Sequence, residues 1–196
     1  MSKISRKAVI TGSSKGIGKA IAERFAQENI DIYLLASNEK NLQKTTSELK
    51  SKFKVNIYYH ASDLKTKSGC ESAIKAIENE FTDFDTLIFS AGATKSGDFL
   101  EQPIEDFEDG FALKFYSAVR LSKAFWPTLS KNKGWIVSIN GAMSHSPDPF
   151  FMALTLPYNK NILRLEEQFF LHQLQGQLEI FLILKQLYHS FLWLII

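Results

Sequence analysis

The chain has 196 residues, 45% of them hydrophobic, and a formal charge of +2. That length suits one domain with a buried core, and a charge so near balance, without basic clusters interleaved with aromatics, argues against nucleic acid as a partner. The one cysteine, Cys70, cannot form an internal disulfide and has no metal-ligand spacing around it; with no apolar signal-peptide core at the N-terminus, a cytoplasmic protein is expected.

In chain order, strand-like runs fall at residues 7–11, 31–36, 55–60, 86–89 and 135–139, and helical patterns at 17–28, 39–53, 69–81 and a long stretch over 107–130. The first strand, with Ala8-Val9-Ile10, runs directly into Thr11-Gly12-Ser13-Ser14-Lys15-Gly16-Ile17-Gly18, which opens the first helix. Gly12 can adopt backbone angles closed to other residues, so the chain can turn sharply off the strand. At Gly16 and Gly18 the missing Cβ lets a pyrophosphate approach the backbone and lets the helix pack close to the strand. The helix then presents free N–H groups and its positive end to the anion. Strand, glycine loop and helix together are the chemistry of a dinucleotide phosphate site, spaced here G-x-x-x-G-x-G rather than G-x-G-x-x-G. The plain alternative is a tight structural turn. Alternation of strands and helices predicts an α/β, Rossmann-like doubly wound parallel sheet of order 3-2-1-4-5.

Three motifs in order carry a resemblance to the short-chain dehydrogenase/reductase family, over roughly residues 5–153. Residues 11–18 match its cofactor loop, with Lys15 at a common basic position. Asp63-Leu64, after the third strand, matches its adenine-contacting Asp. Ser90-Ala91-Gly92, after the fourth strand, resembles its N-A-G motif with Ser in place of Asn. The resemblance implies a nicotinamide dinucleotide held by Gly12, Ser13, Ser14, Lys15, Gly16, Ile17, Gly18, Ser37, Asp63, Leu64, Ser90, Ala91 and Gly92. Ser37 stands at the end of the second strand, where relatives often carry Asp or Arg. With no carboxylate there to repel a 2′-phosphate, and with Lys15 able to pair with one as a point charge, NADP is expected, NAD being the alternative. A merely solvated Lys15 is the bland reading.

The family's proton-transfer groups are a Tyr, a Lys four residues later, a Ser and an Asn. Their positions fall here on Leu154, Tyr158, Gly141 and Lys114, so all four are replaced. Lys114, in the long helix ahead of Trp126-Pro127, is the candidate substitute: pointed at the nicotinamide crevice, its ammonium could steady an anion or donate a proton. A surface-exposed Lys114 is the competing expectation. Ser138, Ser144 and His145 lie near the end of the fifth strand; the ordinary readings are local hydrogen bonding for Ser138 and solvation for His145.

Residues 157–196 differ from residues 1–156, the expected dinucleotide-binding domain. From Pro157 on there is no Ala and no Val, and residues 180–196 are apolar except for Lys185, Gln186, His189 and Ser190. The run is short for a membrane span, so a buried helix or a disordered tail is expected rather than an anchor. Family members usually continue with two more strands and a P-G motif that are not found here. A truncated chain, its tail arising from a changed reading frame near residue 156, is one explanation.

Three functions compete: an NAD(P)-dependent oxidoreductase interconverting a carbonyl and an alcohol, a catalytically inactive dinucleotide-binding relative, and the product of a disrupted reading frame. Relatives often associate through the long helix, which includes Phe111, Phe115 and Trp126, so a homo-oligomer is a further expectation.

Overall fold

The central strands are apolar without interruption because helices cover both faces of the sheet. Ala8, Val9 and Ile10 in β1 (Lys7–Thr11) are wholly buried, as are Ile32 through Leu35 in β2 (Asp31–Ala36). A computed structural model of the chain describes residues 6–92, 98 and 100–139. Its remaining strands are β3 (Ile57–Ala61), β4 (Thr86–Phe89) and β5 (Trp135–Ser138). The five form one parallel sheet in the order β3-β2-β1-β4-β5, as expected.

Alternate strand residues face opposite sides, and each side has its own helices. Ala8, Ile10, Ile32, Leu34 and Ile88 pack with Ile21 and Ala22 of α1 (Gly16–Gln27) and Leu42 and Leu49 of α2 (Glu39–Lys52). Val9, Leu35, Leu87 and Phe89 pack with Cys70, Ala73 and Ile77 of α3 (Lys67–Glu80) and Leu121, Phe125 and Leu129 of α5 (Ser117–Lys131). Each fully buried Leu, Ile or Phe contributes ~1.5–3 kcal/mol, so both layers are needed to hold the crevice described below.

Most boundaries shift by one or two residues from expectation, and three differences have a local cause. β3 starts at Ile57 rather than 55, because the Asn56 amide donates to Asp31 Oδ1 at 2.9 Å and its side chain to Asp31 Oδ2 at 3.0 Å, closing the turn before the strand. α3 starts at Lys67 rather than 69, because Thr66 caps it, its Oγ1 accepting from the Gly69 amide at 2.9 Å. The long helix is not uniform: α4 (Ile104–Phe111) opens after Pro103, and a π-helical segment (Ala112–Tyr116) separates it from α5. The Ser117 hydroxyl donates to the Leu113 carbonyl inside that wide turn. Hydrophobic periodicity does not signal a π turn, since one extra residue still leaves an amphipathic pattern on either side.

Among the described residues no helix is long and apolar enough to cross a membrane. The expected boundary at residue 156 and the segment 157–196 lie outside the described residues.

Candidate active site

β1 pairs with β2 on one side and β4 on the other, so the connections diverge beyond the carboxyl ends of β1 and β4. Open α/β sheets bind ligands in the crevice at such a switch point. Here two loops meet in it, and Thr11 joins them. Its buried Oγ1 accepts from the amides of Ser90 and Ala91, each at 3.1 Å. Gly12 follows with φ +68°, and a Cβ there would stand 2.7 Å from the Ala91 backbone, so this position needs glycine twice over. A methyl group on Gly18 would collide with the Gly12 carbonyl, which lets α1 start directly beneath the loop. Gly16, at φ +56°, has nothing within 4 Å of where its Cβ would be: its backbone faces open space.

The loop is held from the β2–α2 side. The Ser13 amide and Oγ both donate to the Leu35 carbonyl, at 3.2 and 3.3 Å, and Thr45 Oγ1 of α2 donates to the Ser14 carbonyl at 3.0 Å. Ser13 is 0% exposed, so its side chain braces the loop instead of facing the crevice. Lys15, Gly16 and Ile17 are exposed. α1 also begins differently from its neighbours. Asn38 caps α2 and Thr66 caps α3, whereas Lys15 makes no side-chain capping bond and the first turn of α1 holds no acidic residue. Its leading N–H groups and positive dipole end therefore have no anion from the chain's own side chains in that turn.

Ser37 is exposed past the end of β2, with Asn38 bound in its cap. The Glu39 carboxylate next in sequence accepts from Gln43 Nε2 along α2 at 3.2 Å. Lys19 of α1 pairs with Glu48 of α2, and this hydrogen bond holds the Glu48 carboxyl below its ordinary value. In the β3–α3 loop Asp63 is exposed and its Oδ1 accepts from the Lys65 amide at 3.1 Å. Leu64 is 3% exposed and sits in the core, so of that pair only Asp63 presents its side chain outward. Cys70 is buried and its thiol donates to the Leu64 carbonyl at 3.2 Å. Burial pushes the thiol pKa up, and the Arg120 guanidinium beside it acts in the opposite sense.

At the other end of the crevice, Lys114 is half-buried on the π segment. Its Cε lies 3.4 Å from where a Cβ on Gly92 would stand, so the side chain reaches the segment that leaves β4 rather than lying on the outer surface. Burial pushes its ammonium pKa down to about 8. Ser138 closes β5 opposite Phe89, and the Ile139 amide donates to the Phe89 carbonyl at 2.8 Å. Gly141, Ser144, His145, Leu154 and Tyr158 lie outside the described residues. Nothing in the sequence pointed to Thr45 or Arg120, and Thr11 stood in the loop motif without a role assigned to its side chain. Only Thr11 left a signal, a hydroxyl placed directly before the turning glycine.

Residues 6–154 match the family model for short chain dehydrogenases, and the chain belongs to that family. It is 32% identical over 142 residues to the uncharacterized oxidoreductase YvrD of Bacillus subtilis (strain 168), covering 72% of this chain and 53% of that protein. Its fold is similar to L-sorbose reductase from Gluconobacter frateurii, solved with NADPH and L-sorbose, at TM-score 0.79 and 28% identity, covering 84% of this chain and 63% of the other. It is also similar to an alcohol dehydrogenase from Thermococcus sibiricus complexed with 5-hydroxy-NADP, at TM-score 0.79 and 26% identity, covering 86% of this chain and 71% of the other. The chain spans between half and just under two thirds of the length of the first curated relatives it matches.

Proposed function

We propose that the chain binds a nicotinamide dinucleotide, NADP in preference to NAD, at the carboxyl ends of β1 and β4. We propose further that it serves an oxidoreductase exchanging hydride with a carbonyl or alcohol substrate. The observation that carries the binding proposal is the open space beside Gly16 at the start of a helix without a side-chain cap. A pyrophosphate fits there: backbone N–H groups supply donors, the dipole supplies charge, and no side chain obstructs the approach. Lys15 and Ser37 would meet the 2′-phosphate, Asp63 the adenine, and Ser90, Ala91 and Gly92 the part of the dinucleotide nearest β4. Solved relatives with NADPH or 5-hydroxy-NADP support the choice of cofactor. We assign this unit to residues 1–156 and place it in the cytoplasm. Association through the long helix would use Trp126, exposed with Tyr116 and Val119, more than the half-buried Phe111 and Phe115.

The bound nicotinamide supplies or accepts the hydride. In this reading Lys114 handles the proton: its ammonium Nζ donates to the substrate oxygen as a carbonyl becomes an alcohol, and the resulting amine regains a proton from solvent. In the reverse direction the amine accepts that proton. A lysine with its pKa near 8 holds both forms in useful amounts around neutral pH, as acid–base catalysis requires. Fluorescence titration with NADPH tests binding, and a panel of ketones and aldehydes followed at the nicotinamide absorbance tests turnover. Saturable binding with turnover is expected. Binding without any turnover would leave a dinucleotide-binding protein and remove Lys114's role, and a folded chain that binds neither coenzyme would overturn the proposal.

A further inference from the structure

The loop that carries Asp63 and the helix α3 that follows it each approach the helical run that carries Lys114. Lys65 Nζ meets Asp109 Oδ2 of α4 at 2.5 Å. On the other side, the Arg120 guanidinium of α5 lies beside Cys70 in the first turn of α3, and the Cys70 thiol is bonded to the Leu64 carbonyl. Arg120 also stands over the ring of Tyr116, the last residue of the π segment, with Cζ 5.6 Å from the ring centre, and its Nη1 is shut off from solvent. Asp109 comes five residues before Lys114 and Arg120 six residues after it. The two ties therefore bracket the π turn.

We propose that Asp109 and Arg120 are positioning residues: Asp109 fastens the adenine-side loop, and Arg120 the start of α3 that follows it, to the helix on either side of Lys114, so that adenosine bound at Asp63 fixes the reach of the Lys114 amine. This rests on the reading above that Asp63 meets the adenine. A π turn has looser hydrogen-bond geometry than an α turn, and a small rotation within it swings a long lysine side chain far. Held at both ends, the turn has less room to rotate. Ordering the loop by adenosine is then transmitted through the Lys65–Asp109 ion pair and through the start of α3, where Cys70 lies near the Arg120 guanidinium. The remote half of the cofactor thereby contributes to the reaction end, as binding energy from non-reacting parts commonly does.

The test uses adenosine 2′,5′-bisphosphate, which has the adenosine end of NADP and no nicotinamide. The full chain is treated with trace acetic anhydride, and the acetylation rate of Lys114 is compared with that of exposed lysines by mass spectrometry. Saturating bisphosphate is expected to slow Lys114 acetylation in the wild type by roughly threefold, to protect Lys15 directly, and to leave the other exposed lysines unchanged. In Asp109→Asn and in Arg120→Met the bisphosphate still binds, read by calorimetry, but the slowing is lost. Asp109 is exposed, so its variant guards against misfolding of the Arg120 variant. Exchanging the pair, Lys65→Asp with Asp109→Lys, restores part of the slowing, which loss of helix packing alone would not allow. Bound bisphosphate with an unchanged Lys114 rate in the wild type, or full slowing in both variants, overturns the inference. A folded wild type that does not bind the bisphosphate contradicts the cofactor reading itself and removes the inference with it.

Discussion

The two ends of the crevice are built in different ways. At the β1–α1 end the work is done by backbone: Gly12, Gly16 and Gly18 set the path, and the hydroxyls of Thr11, Ser13 and Thr45 are spent on main-chain groups. At the β4–π end one charged side chain, Lys114, stands on an irregular turn. A backbone site tolerates little change in shape where its atoms meet one another, as at Gly12 and Gly18, and where the ligand itself would lie, as at Gly16. A side-chain site tolerates change in shape but depends on one functional group. Substitutions at the first end should therefore act on stability and affinity, and at the second on chemistry.

Gly12→Ala should have the largest effect. It combines a left-handed backbone, costing ~1–2 kcal/mol, with overlap against Ala91 that costs ~1–3 kcal/mol. Denaturant unfolding should show the sum, and NADPH binding should vanish with it. Thr11→Val comes next: it strips the acceptor from two amides, at a cost of about 1–3 kcal/mol, whereas Thr11→Ser should restore most of the stability. If Thr11→Val unfolds like the wild type, the two loops are not joined as described.

Lys114→Met should act in the opposite direction on stability. The native lysine titrates near 8 and the unfolded one near its ordinary 10.5. Between those values the unfolded chain binds more protons, so wild-type stability rises with pH there. The cost of burying the charge is full below about 8 and has faded by 10.5. The variant should therefore melt higher than the wild type at neutral pH, with the gain shrinking as pH rises through that window, and it should lose turnover. In the wild type, carbonyl reduction should fall as pH rises through about 8, and alcohol oxidation should rise. A pH profile flat across that range would remove Lys114 from proton transfer. The smallest effect is expected from Lys15→Ala, which should weaken NADPH binding by about 0.3–1 kcal/mol, the worth of an exposed charge, and leave NADH binding unchanged. Equal loss for both coenzymes would contradict the 2′-phosphate assignment.

What could be read from the sequence follows the same division. Strand order and the glycine loop were legible because continuous apolar runs and glycine spacing are local signals. The inward-facing side chains of Ser13 and Leu64 were not, since each depends on a partner distant in sequence, the Leu35 carbonyl in one case and the α3–α5 core in the other. The π turn left no pattern, so the reach of Lys114 toward Gly92 could only be posed as one of two outcomes. Arg120 was invisible for a similar reason: its meaning lies in contacts with Cys70 and Tyr116, which the helix periodicity does not encode.

Calorimetric titration of the 196-residue chain and its Gly16→Ala variant with NADPH tests the central claim most directly. No neighbouring atom lies near the added methyl, so the variant should remain folded, paying only ~1–2 kcal/mol for its left-handed backbone, while losing most of its affinity because the methyl fills the phosphate notch. Saturable wild-type binding that drops sharply in the folded variant is the predicted result. Equal affinity in the two folded proteins, or no binding by the wild type, would contradict a phosphate site at the start of α1.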